Sequence, residues 1–89
     1  MTNEVSKLFK EQVEAIPDDV RIQIDICYGI SDRIDFLLKK KGMTQKEFAK
    51  KMGKTEAEVS RWLSGRHNFT ISTLAKIAAE LHADIINVS

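Results

Sequence analysis

Residues 45–64 read QKEFAKKMGKTEAEVSRWLS, and together with Thr44 just before them they contain two helix starts and one tight turn. Thr44 and Glu47 form a T-x-x-E capping box, in which the hydroxyl accepts from a first-turn N–H and the carboxylate reaches back to the cap. Thr55 and Glu58 repeat the signal eleven residues on. Between the two boxes stands Gly53, which takes the left-handed conformation that ends a helix without a Cβ penalty. The pattern predicts helices over 45–52 and 56–64, the second stopping at Gly65, with Met43 and Phe48 at the spacing of a hydrophobic staple. A turn this short makes the helices cross steeply with their backbones close. Ala49 is small where the second helix would approach, and Phe48, Met52, Val59 and Trp62 are the apolar positions that pin the pair to a core.

Outward from this stretch the chain remains helical. Downstream, Thr70 caps a further helix, Phe69 and Leu74 repeat the staple spacing, and Ile71, Leu74, Ala75, Ala78 and Leu81 give one apolar face as far as about His82. The tail Ile85, Ile86, Val88 is β-branched and short, with the character of an edge strand. Upstream, Val20, Ile24, Cys27, Ile30, Ile34, Leu37 and Leu38 share one face of a long helix that runs to Lys41 and ends at Gly42. Pro17 suits its first turn, where an N–H has no partner anyway, and Asp18 and Asp19 meet the positive end of the helix dipole. Ile22, Ile24 and Ile26 alternate as a strand would, which leaves a strand open as an alternative there. Before Pro17, Val5, Leu8, Phe9, Val13 and Ile16 form another apolar stripe at helical spacing, with Thr2 or Asn3 placed to cap it. The fold class is all-α. It divides into an N-terminal helical arm with the start of the long helix (1–28), a second helical unit (29–82) and a short tail (83–89).

The set A-x-x-x-G-x-x-x-x-x-V, here Ala49, Gly53 and Val59, is what a helix-turn-helix needs to hold its second helix outward. From T-Q-x-x-F-A through G-K-T-x-x-x-V-S-R-W-L-S-G, the sequence resembles the Cro-like, xenobiotic-response-element (XRE) family of helix-turn-helix regulators over about residues 30–82. The resemblance implies a phage-repressor-like bundle and a sequence-specific regulator of double-stranded DNA, acting as a homodimeric repressor. A narrower version is the antitoxin of a toxin–antitoxin pair that also autoregulates its operon. A reading from another class is a protein-interaction adaptor that keeps the fold without binding DNA.

Wrapping residues 56–64 at about 100° per residue puts Val59, Trp62 and Leu63 on one side and Ala57, Ser60, Arg61 and Ser64 on the other. The second side is the one that would enter a major groove. Arg61 is the sharpest base reader, because a guanidinium bonds guanine O6 and N7 together. Ala57 fits a thymine methyl, and Ser60 and Ser64 are short donors to bases or phosphates. Lys54 adds a cation in the turn. The resemblance adds Gln45, whose counterpart contacts backbone phosphate near a helix N-terminus. It also adds Glu56, whose counterpart reads base edges, and Arg66, His67 and Asn68, in the loop where the family touches phosphates. At Glu56 the chain departs from the commoner glutamine or serine, and a carboxylate near phosphates is costly unless it accepts from cytosine N4 or binds inside the protein. Duller roles stand beside these: a solvated Arg61, a polar turn at His67, His82 closing a helix, and Cys27 as a small buried hydrophobe.

Charge divides along the chain. Residues 1–38 carry four basic and eight acidic side chains (net −4), whereas residues 39–66 carry nine basic and three acidic ones (net +6). A total of +1 thus hides an acidic arm joined to a basic middle, a footprint for a polyanion. Composition, 43% hydrophobic and 30% charged, fits a small soluble domain and no run approaches the roughly 20 apolar residues of a membrane span. A charged N-terminus and one cysteine point to the cytoplasm. Two histidines and one cysteine are too few for a zinc site, so no metal and no cofactor is expected. Nor is an enzyme, since Cys27 lies far in sequence from both His67 and His82.

Overall fold

A computed structural model of the protein describes residues 16–87, which form four helices: α1 (Asp18–Lys41), α2 (Gln45–Met52), α3 (Glu56–Trp62) and α4 (Ile71–Leu81). The Val5, Leu8, Phe9 and Val13 positions of the first stripe, its Thr2 and Asn3 caps, and Val88 lie outside the described residues. Among the described residues there is no strand. Ile22, Ile24 and Ile26 are helical, and Ile85 and Ile86 lie in a bend instead of an edge strand. A strand there would need a partner edge, and an all-α core offers none.

Pro17, with φ −56°, is the N-cap of α1, and Asp18 and Asp19 stand in the helix's first turn and three lysines in its last. It passes through Gly29 unbroken, so the division at residue 28 falls inside a helix. Only its second part is packed. Cys27, Ile30, Ser31, Ile34, Leu37 and Leu38 are buried, whereas residues 18–26 are exposed throughout.

The core joins that part of α1 to Phe48 and Ala49 of α2, Val59 and Trp62 of α3, and Ile77 and Leu81 of α4, with Met43, Met52, Leu63, Phe69 and Leu74 packed at its margin. Phe48 meets Trp62 edge-on with centroids 6.1 Å apart, and Trp62 leans on Phe69 at 6.4 Å. Aromatic pairs of this kind contribute about 0.5–1.5 kcal/mol beyond their buried area.

On α4 the buried line differs from the expected one. Ile77, Leu74 and Leu81 face inward, while Ile71 is 85% exposed and Ala75 is exposed. The helix has apolar residues over more than half its circumference, so periodicity alone does not say which edge of that arc meets the core. Fixing Thr70 as the cap and Phe69 against Trp62 turns Ile77 inward and Ile71 out.

Candidate nucleic-acid interface

The interface is built from the two short helices. At α2 both halves of the capping box form: the Thr44 hydroxyl accepts from Glu47 N–H (3.1 Å) and the Glu47 carboxylate accepts from Thr44 N–H (3.2 Å). The Thr44 N–H, joined by the Thr44 hydroxyl donating to the same carboxylate (3.0 Å), holds the Glu47 carboxyl below its ordinary value. Gly53 closes the helix at φ 68°, and Lys54 N–H reaches back to the Ala49 carbonyl at 2.9 Å. α3 then starts under the Thr55 hydroxyl, which accepts from Glu58 N–H at 3.1 Å.

The expected second helix runs two residues too far. α3 ends at Trp62, and residues 63–65 continue as tight turns, with Ser64 N–H donating to the Arg61 carbonyl. The predicted faces nevertheless hold. Val59 and Trp62 are buried, and Glu56, Ala57, Ser60 and Arg61 are exposed together on the opposite side. Gln45 is exposed at the first position of α2, and Lys54 is exposed in the turn between α2 and α3.

Beyond α3 the candidate residues are not equivalent. Ser64 Oγ donates to the Arg61 carbonyl (2.7 Å) and accepts from Arg66 N–H (3.1 Å), so this hydroxyl braces the turn. Arg66 is exposed. The His67 ring stands edge-on to Phe69, 4.7 Å between centroids, and is half-buried. Asn68 is exposed at the rim of an apolar recess formed with Ile22, Ile26, Phe69, Ile71 and Ile86.

One buried polar residue escaped the sequence reading. Ser31 of α1, 3% exposed, donates from Oγ to the Trp62 carbonyl (2.6 Å) and accepts from Gly65 N–H (3.1 Å). The signal was present: residue 31 lies in the stripe of Cys27, Ile30 and Ile34, and a serine in an apolar stripe requires a partner for its hydroxyl. Cys27 is a buried free thiol, and His82 closes α4 in the left-handed conformation usual for glycine, with φ 51°.

The family model for helix-turn-helix proteins matches residues 35–85, taking in the end of α1, all of α2, α3 and α4, and the turn between the two capped helices. The chain is a Cro/XRE-like helix-turn-helix protein. It thereby belongs to a family of DNA-binding transcriptional regulators that is generally non-enzymatic. Neither a search of curated proteins nor one of solved structures finds a match to the chain. No helix among the described residues is long and apolar enough to cross a membrane.

Proposed function

We propose that this helix-turn-helix protein is a dimeric repressor that recognises an inverted repeat in double-stranded DNA by laying α3 in the major groove. The observation that carries the reading is the polarity of α3. Buried Val59 and Trp62 fix the helix to the core, and the opposite side presents Ala57, Ser60 and Arg61 to solvent, with Glu56 leading. Arg61 pairs with a guanine edge, Ala57 with a thymine methyl, and Ser60 with a base or phosphate. Gln45, Lys54, Ser64, Arg66, His67 and Asn68 serve the backbone and set the register, with Ser64 and His67 acting partly by shaping the turn. The +6 charge of residues 39–66 supplies counterion release, the sequence-independent part of the affinity.

One recognition helix reads few bases, and two-fold symmetry doubles the site, with half-sites about one helical turn or roughly 34 Å apart. Ile30 and Ile34 are 6% and 0% exposed in the protein's own core, which leaves a dimer contact to other apolar residues. The surface that favours self-association is the recess where exposed Ile22 and Ile26 of α1 face Ile71 and Ile86. Selection of bound duplexes from a random pool, with the mass in solution measured alongside, tests the proposal. A dyad-symmetric motif and a dimer mass are expected, and a motif without symmetry from a monomer would refute it.

The antitoxin reading draws on a specific feature of α1. Val20, Ile22, Ile24 and Ile26 are all exposed along the half of α1 that the core leaves bare, within the acidic segment. A basic RNA-cleaving toxin is the partner such a surface would suit, with charge speeding encounter and apolar contacts supplying affinity. The full chain carrying Val20→Ala and Ile24→Ala, outside the recess of Ile22 and Ile26, that still binds DNA but loses such a partner would support it.

A further inference from the structure

The exit of α3 is fastened unlike that of any other described helix. α1, α2 and α4 each end in a left-handed residue (Gly42, Gly53 and His82), and the next N–H bonds back across the last turn, Met43 to Leu38, Lys54 to Ala49 and Ala83 to Ala78. That arrangement satisfies the terminal carbonyls from within the helix's own neighbourhood. At α3 the capping residue Leu63 remains right-handed, and the Trp62 carbonyl takes its hydrogen bond from Ser31 of α1. The same hydroxyl oxygen accepts from Gly65 N–H. One side chain therefore bridges the last residue of the recognition helix and the first glycine of the following turn.

A second α1 residue acts on that glycine. Gly65 has φ 83°, and the Tyr28 ring lies against it so closely that a Cβ at position 65 would overlap the ring. Tyr28 and Arg66 line one small recess beside Gly65. Tyr28 and Ser31 stand upstream of residues 35–85, whereas the Trp62 and Gly65 they act on lie within the part the family model matches.

We propose that Ser31 and Tyr28 are positioning residues for DNA binding. Ser31 pins the backbone at Trp62 and Gly65, and the Tyr28 ring packs against Gly65. Together they hold the 64–68 turn at the height where Arg66 and its neighbours meet the phosphates beside the groove. The proposal rests on the DNA-binding reading of α3 and adds to it that the turn's placement is set by α1. Without the Ser31 hydroxyl, one buried N–H and one buried carbonyl lose their partner, and the turn shifts to solvate them.

The test uses the full chain with Ser31→Ala, Ser31→Thr and Tyr28→Ala, each confirmed folded by circular dichroism. Binding to a selected duplex and to a random duplex is measured over a range of salt concentrations, and amide exchange at Gly65 is followed in the free protein. Ser31→Ala should weaken both duplexes alike by about tenfold and flatten the salt dependence by about one unit, the mark of one phosphate no longer neutralised. It should leave the order of preference among bases unchanged and speed exchange at Gly65. Ser31→Thr, which keeps the hydroxyl, should restore the salt slope. Tyr28→Ala, at a position 47% exposed and so tolerant of truncation, should move the slope in the same direction and reads the proposal even if Ser31→Ala does not fold. Folded variants with the parent's affinity and slope would overturn the positioning role while leaving the DNA-binding reading intact. If the parent chain itself bound no duplex, both would fall.

Discussion

α2 and α3 are eight and seven residues long and start under the same kind of threonine cap, yet they are closed in different ways. Everything that terminates α2 comes from residues 44–54: the complete Thr44–Glu47 box at one end, and Gly53 with the Lys54-to-Ala49 bond at the other. α3 makes the hydroxyl half of its box through Thr55 and Glu58, and its last carbonyl depends on Ser31, 31 residues upstream. Both ends of α2 are closed locally, while Phe48 and Ala49 tie the helix to the core. α3 is closed by a tertiary contact, which under the proposed reading lets its exposed face be chosen for DNA and not for helix propensity. Glu56, Ala57, Ser60 and Arg61 are then free of structural duty.

The strongest way to break this contrast is to remove the seat of α3. Trp62→Ala deletes a buried ring that touches Phe48 and Phe69, and should cost about 3–5 kcal/mol in urea unfolding. An effect below about 1 kcal/mol would show that the seat is not at Trp62. At the two N-caps the effects should be smaller and unequal. Thr44→Ala loses two hydroxyl bonds, one accepted from Glu47 N–H and one donated to the Glu47 carboxylate, and Thr55→Ala loses one, each within the range of about 0.5–2 kcal/mol known for caps, with the first the larger. Equal losses would mean that the Glu47 side chain adds nothing at Thr44.

A smaller effect belongs to the basic residues that flank α3. Lys54→Ala or Arg66→Ala should weaken all duplexes alike and reduce the salt slope by about one unit for each phosphate left without its cation. A change in base preference instead would move either residue into the groove.

The smallest effect is on pH dependence. Folding lowers the Glu47 carboxyl pKa through its hydrogen bonds to Thr44, so its contribution to stability is fully present above the ordinary value of 4.5. It fades as the pH falls through the lower folded value. In Glu47→Ala the thermal midpoint should therefore converge with that of the parent as the solution is acidified below about pH 4.5. A gap that widened on acidification would reverse the assignment.

The same contrast separates what the sequence discloses from what it conceals. Helix starts were legible because a threonine cap and the residue three positions on (Glu47, Glu58 or Thr73) are neighbours in the chain, and the predicted starts at Gln45, Glu56 and Ile71 coincide with the observed ones. The opposite faces of α3 were legible because helical geometry alone separates Val59 and Trp62 from Arg61. The end of α3 was not, because Gly65 looks like a local stop while the helix in fact finishes at Trp62 against Ser31. The orientation of α4 was hidden for a related reason. Ile71, Leu74, Ala75, Ile77 and Ala78 are all apolar, and only packing against Phe48, Trp62 and α1 selects Ile77. Local chemistry is written in the sequence; which of two apolar edges finds the core is decided by distant partners.

The reading of α3 as the base-selecting helix is tested most directly by one pair of affinities. Arg61→Ala is compared with the parent chain on a selected duplex and on a random duplex at the same salt concentration. A loss of about 1–3 kcal/mol on the selected duplex, a much smaller loss on the random one, and relaxed preference at a single base pair in each half-site are expected. Equal losses on the two duplexes would place Arg61 on the phosphate backbone and contradict the assignment of α3's outward face to base reading.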